Sequence, residues 1–191
     1  GRMGITDEAL QDMNSIPEVF RSERRRIEPI REVLIAETGT VADAYEKMVE
    51  EFTFTLFNRI AALKVIEALT LHPEIITRRS QHGDRSFAHK HWLEQNPNGR
   101  NEEMEGIVHF IEDRFAALGD EIPLFNTKHS YHLLPTAIEL NTIINSFNAV
   151  EGDEQVEADI WKSDDVLGWL YESYNNHKKA AHKESGDKTE Y

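Results

Sequence analysis

From Ala42 to Leu71 apolar residues recur at helical spacing for almost thirty positions, and this run limits the fold more than any other stretch. Tyr45, Met48, Val49, Phe52, Leu56, Ile60, Leu63 and Ile66 hold one face, while Phe54, Phe57 and Val65 add apolar surface on others. A helix that is apolar on several sides must be surrounded, so its second half is expected to be buried nearly all round. Gly39 closes the preceding segment, Thr40 and Asp43 form a capping pair, and Pro73 lies where the helix must stop. No segment shows period-two alternation bounded by turns. The pattern predicts an all-α fold, an irregular bundle of about five to seven helices around one long central helix.

The other elements follow from caps and breakers. Ser15-Ile-Pro-Glu18 reads as a capping box opening a helix with Ile16, Phe20, Ile27, Ile30 and Leu34 on its apolar side, and Pro29 predicts a kink or break near Glu28. After Pro73 comes a polar segment rich in Arg and His. A short helix over Arg85–Gln95, packing Phe87, Trp92 and Leu93, is followed by the turn Asn96-Pro97-Asn98-Gly99. Glu102–Leu118 is amphipathic through Met104, Ile107, Val108, Ile111, Phe115 and Leu118, and Gly119 ends it. Pro135 leads into a helix carrying Ile138, Leu140, Ile143, Ile144 and Phe147. Beyond the acidic stretch 151–165, Ser163 caps a last helix expected to be anchored by Val166, Leu167, Leu170, Tyr171 and Tyr174. Residues 1–174 read as one helical domain, and the polar stretch 175–191 as a connector.

Composition narrows the chemistry. The chain has 191 residues, 39% of them hydrophobic, which suits one ordinary core. It has no cysteine, so neither a disulfide framework nor a thiolate metal or redox site can be built. No apolar run approaches the roughly 18–20 residues of a membrane span, and no basic-then-apolar leader is present, so a cytoplasmic protein with no membrane partner is expected. Asp and Glu number 35 against 21 Lys and Arg, a net charge of −14. Such a surface repels phosphate backbones unless the acidity is an adaptation to high salt, in which screening would lift that objection.

Three stretches carry a family resemblance. Ser163–Asn175, SDDVLGWLYESYN, is similar to the I/V-L-G-W-L-Y-x-x-Y-N segment just before the catalytic domain of the PglX-type adenine-specific DNA methyltransferases of BREX phage-defence systems, relatives of the fused restriction-modification methylases. Leu56–Leu69, LFNRIAALKVIEAL, resembles that family's W-F-N-R-x-x-A-L-R-x-M-E helix, with Leu56 for Trp and Lys64 for Arg. Ile122–Pro135, IPLFNTKHSYHLLP, resembles its P-x-L-F…Y-x-x-L-L-x-P stretch. None of the three is a catalytic signature. The resemblance implies the head of a larger enzyme that uses S-adenosylmethionine to methylate an extruded adenine, with 175–191 leading towards a methyltransferase domain further along. It implies as partners that catalytic domain, DNA through the whole enzyme, and other defence-system proteins.

The residues themselves contain no methyl-transfer machinery. There is no glycine-rich strand-to-helix loop, and Asn96-Pro97 is followed by Asn98-Gly99 where the family's catalytic loop reads Asn-Pro-Pro-Tyr. No Glu-x-Lys pair suits a restriction nuclease. Nine histidines, including the pairs His89 with His91 and His129 with His132, lack a metal-ligand pattern. No catalytic, cofactor-binding or metal residue is therefore assigned within this chain. Two basic clusters remain. Arg21, Arg24, Arg25, Arg26 and Arg31 alternate with Glu23, Glu28 and Glu32 and read as a salt-bridged solvent face. Arg78, Arg79 and Arg85, with only Glu74 and Asp84 nearby in sequence, are the candidate phosphate contacts. Asn58 and Arg59, polar within an apolar helix, need partners and are candidate structural or interdomain residues along with Trp169 and Tyr171. The expected function is a non-catalytic helical scaffold of a site-specific DNA adenine methyltransferase. The alternative is a free-standing acidic helical adaptor for a protein partner.

Overall fold

A computed structural model describes residues 1–151, 159–163 and 165–172, and the fold is all-α. The helices are α1 (Glu18–Thr38), α2 (Val41–Ala68), α3 (Phe87–Gln95), α4 (Ile107–Gly119) and α5 (Ala137–Glu151), with a further helical segment at 166–172. The described residues contain no strand, only the isolated bridges Ile5–Leu10 and Arg79–Arg85. No helix among them is long and apolar enough to cross a membrane. The region read as one domain divides into two compact units, residues 1–57 with 126–133 and residues 58–125 with 134–191.

In the first unit α1 and the first half of α2 bury Ile27, Leu34, Ala44 and Met48 against Ile5, with Leu10, Ile30, Tyr45, Phe52 and Leu133 around them. Gly39 joins the helices in the left-handed conformation, φ 87°, and its N–H bonds the Ile35 carbonyl at 2.9 Å. The Thr40–Asp43 cap forms as expected: the Asp43 N–H donates to Thr40 Oγ1 at 3.1 Å.

Three expectations for α1 require correction. Ser15 does not cap it, because its hydroxyl donates to the Asp12 carbonyl and the residue preceding the helix is Pro17. Pro29 does not break it. The carbonyl that loses its partner belongs to Arg25, and both residues lie on the exposed side, where water supplies the donor. The arginines are a solvent face only in part, since Arg25 and Arg26 are exposed but Arg24 and Arg31 are buried. Arg24 is buried and donates to the carbonyls of Met3 (2.6 Å) and Gln11 (3.4 Å) and to Glu28, strapping the N-terminal segment to the helix. Arg31 is buried beside Glu32; Arg21 reaches the carbonyls of Ile16 and Asn14, and Arg26 those of Ser130 and His132. Backbone carbonyls that the helices leave unpaired attract the guanidinium forks.

In the second unit the six consecutive residues Arg59–Lys64 of α2 are all buried, the all-round burial expected of this half. Leu63, Ile75, Ile76, Leu93, Phe110, Ile111, Phe115, Phe125, Leu140 and Ile144 complete the core, with the Phe115 and Phe125 rings stacked at 5.6 Å. Helix α2 stops three residues earlier than predicted, at a left-handed Thr70 (φ 56°). There the Leu71 and Thr70 N–H groups return to the Ile66 and Glu67 carbonyls, so a backbone cap ends the helix before Pro73 can. Helix α4 starts five residues later than predicted, because Met104, Glu105 and Gly106 are all left-handed and Met104 is exposed. Phe87, expected to pack, is exposed at the first position of α3, whereas Trp92 and Leu93 are buried. Thr136 and Glu139 form a capping box for α5 that the sequence reading overlooked.

Candidate functional site

The candidate phosphate contacts lie on a tight loop. The Arg79 N–H bonds the Arg85 carbonyl at 3.1 Å, closing the loop, and Gly83 and Asp84 turn it with φ of 66° and 58°. The three arginines diverge from there. Arg78 donates through Nη2 to Asn141 Oδ1 at 2.6 Å, its N–H bonds Asn148 Oδ1 at 3.0 Å, and burial holds its guanidinium below the usual arginine range. Arg79 is exposed and pairs with Glu74 at 2.7 Å. Arg85 makes a two-pronged bond to Glu105, Nε to Oε2 and Nη2 to Oε1, both at 2.6 Å. This bond holds the Glu105 carboxyl below the ordinary carboxylate range. The carboxylate facing Arg85 comes from twenty positions further along the chain and could not be read from local sequence. The cluster read as the less compensated of the two has carboxylates against two of its three arginines, the nearby Glu74 and the distant Glu105.

The same clamp positions an aromatic centre. His89, buried and with its imidazolium disfavoured by that burial, donates from Nε2 to the Glu105 carbonyl at 2.9 Å and stacks on Phe110 at 4.7 Å. The Trp92 indole N–H donates to Asp113 Oδ2 at 2.7 Å. Gly99 and Gly106 flank the indole: a Cβ on Gly99 would stand 2.6 Å from the ring, and one on Gly106 3.1 Å from it. Beside Trp92 lies a cleft of about 420 Å³ whose charged lining is Glu102, Glu112 and Asp113 with His109, the last 2.6 Å from Glu102. The Asn96-Pro97 turn forms one rim, as the start of a 3-10 turn over Pro97–Asn101. Three carboxylates facing one cleft disfavour an anionic or phosphate ligand there.

Arg59 lies within the core rather than at a ligand site. It is buried, donates from Nε to the Leu124 carbonyl at 2.7 Å, and lies 5.3 Å over the Phe115 ring. Burial lowers its pKa and Glu112 opposes the shift. Asn58 beside it is half-buried. Sequence reasoning missed the matching device about two turns later. The Glu67 carboxylate accepts the N–H groups of Ile75 and Ile76, both at 2.6 Å, and the N–H and hydroxyl of Thr77, while the buried Lys64 ammonium donates to the Thr77 hydroxyl at 2.6 Å. The signal was present: a lysine and a glutamate three apart on the most apolar helix of the chain.

At the end of the described chain, Val166 is buried and Leu170 half-buried, but Leu167 (43% exposed), Trp169 (54%) and Tyr171 (53%) face out. The expected anchoring by Leu167 is therefore corrected, and Tyr171 is exposed rather than buried. Tyr174 and the connector 175–191 fall outside the described residues. The anchor is Trp161, 5% exposed, which packs on Phe147 at 5.8 Å and lies 5.9 Å under the Lys64 ammonium. The chain matches no known protein family, no curated protein and no solved structure.

Proposed function

We propose that this chain is a non-catalytic helical scaffold from the N-terminal part of an S-adenosylmethionine-dependent, adenine-specific DNA methyltransferase of the PglX type, acting in the cytoplasm in phage defence or restriction-modification. The observation that carries this reading is where the resembling stretches use their polar residues. Arg59 of the first stretch donates to the Leu124 carbonyl of the second, and Lys64 and Glu67 of the first hold the Ile75–Thr77 segment. Residues so fully engaged in internal joints serve a framework, not a reaction. The outward Leu167, Trp169 and Tyr171 form the surface for the enzyme's own methyltransferase domain, which binds the cofactor and extrudes the adenine. DNA is reached through the whole enzyme, and other defence proteins are its further partners.

The test is calorimetry with S-adenosylmethionine on this chain alone and on a protein extended along the natural reading frame. The expected result is no heat of binding for the first and stoichiometric binding for the second, with Trp169→Ala and Tyr171→Ala weakening association of the two parts when they are supplied separately. Cofactor binding by the 191-residue chain, or an extension without a glycine-rich loop and an Asn-Pro-Pro motif, overturns the reading. A natural stop codon at Tyr191 decides instead for the adaptor.

A further inference from the structure

We infer that a second groove, which shares Trp92 with the acidic cleft, is a binding site for a small carboxylate carried on a flat apolar body of about one ring. The groove encloses about 110 Å³, close to the space one benzene-sized molecule needs. Pro73, Phe87, Ala88 and Trp92 supply apolar wall, and His72, His91, Gln95 and Arg114 supply polar groups. Two observations identify the occupant. The first is Arg114, whose Nε is shut away from solvent without a hydrogen-bond partner. That nitrogen is closed to an incoming ligand, so the carboxylate is met by the outer Nη nitrogens, and Arg114 forms no ion pair among the described residues that would compete for them. The second is Phe87, 48% exposed on a helix whose neighbours Trp92 and Leu93 are buried, so its ring offers a stacking face at the groove wall.

Charge complementarity then selects an anion. Asp113, next to Arg114 in sequence, is engaged by the Trp92 indole and lines the opposite cleft with Glu102 and Glu112. Of the acids near the groove, Glu94 lies 3.2 Å from His91 and Glu74, next to Pro73, pairs with Arg79. Trp92 thus borders both an acidic cleft and a groove lined by Arg114, and an aromatic acid is sorted to the second.

Benzoate is the probe, with benzylamine as the cationic analogue of similar shape, followed by amide and indole NMR shifts. Millimolar benzoate is expected to shift the signals of Phe87, Ala88 and Trp92, and benzylamine to leave them unmoved. Arg114→Met should weaken benzoate about tenfold or more. Because loss of Arg114 can disturb α4, Phe87→Ala provides a second arm at an exposed position, expected to weaken benzoate severalfold with the melting temperature unchanged. No benzoate-dependent shift, equal response to benzylamine, displacement by equimolar inorganic phosphate, or unchanged affinity in both variants would each overturn the assignment.

Discussion

The chain has two arginine clusters, and they divide their bonds differently between carbonyls and carboxylates: α1 has ion pairs at Arg24 with Glu28 and Arg31 with Glu32, beside bonds to carbonyls. On α1, Arg21 and Arg26 donate to backbone carbonyls, which satisfy hydrogen bonds and leave the positive charge intact. On the 78–85 loop, Arg79 and Arg85 meet carboxylates, which satisfy hydrogen bonds and cancel the charge. Local sequence suggests the reverse, because α1 intersperses glutamates with its arginines and the loop has few acids nearby. Alternation within a helix does not establish pairing. A guanidinium at the end of a long side chain binds whichever acceptor the tertiary fold leaves open, and near α1 those acceptors are mostly carbonyls, with Glu28 and Glu32 beside them.

The comparison can be broken experimentally, first at its most buried member. Arg24→Ala removes two carbonyl bonds and an ion pair from a side chain that is 1% exposed, and should cost about 3 kcal/mol in urea unfolding. A loss below about 1 kcal/mol would show that the strap on the N-terminal segment is incidental. Glu105→Gln tests the charge-cancelling cluster and should cost about 1 kcal/mol at neutral pH, since the pair is partly exposed. Its pH dependence has a definite sign. The folded-state pKa of Glu105 is depressed, so its contribution is complete above the unfolded carboxylate value of about 4.3 and fades as pH falls through the folded value. The wild-type and Glu105→Gln unfolding curves should therefore converge in acid; a gap that persists or widens there contradicts the ion-pair account. At the exposed end, Arg79→Ala should change stability by less than about 0.5 kcal/mol, because its partner Glu74 is held at the surface. Mobility shifts at low salt sharpen the contrast further: if this chain touches DNA, Arg21→Glu with Arg26→Glu should weaken the shift more than Arg79→Glu with Arg85→Glu.

The all-α class and the buried second half of α2 were legible because helical periodicity is a local property of the chain. The caps at Gly39 and Thr40 were legible for the same reason. Side-chain partners were not. Glu105 meets Arg85 across twenty positions, Arg59 meets Leu124 across sixty-five, and Arg78 meets Asn141 across sixty-three. Helix ends failed where other bonds outweighed the expected caps: Ser15 turned to the Asp12 carbonyl three residues back, and α4 lost its predicted first turn, where Glu105 is held by Arg85 across twenty positions. Of the candidate site residues, the sequence identified the arginines and the exposed aromatics but not what faces them.

That lost first turn has a further consequence. Residues 102–106 carry a helical pattern continuous with α4, yet Met104 and Glu105 are held left-handed, a conformation that costs a non-glycine residue about 1–2 kcal/mol. Two opposing preferences therefore meet in five residues, and the Arg85 fork with the His89 donor decides between them. Freed of that restraint, the segment should rewind onto α4 and lengthen it. Arg85→Ala would then be a variant that loses stability while gaining helical ellipticity, the signature of a frustrated spring rather than of a missing salt bridge.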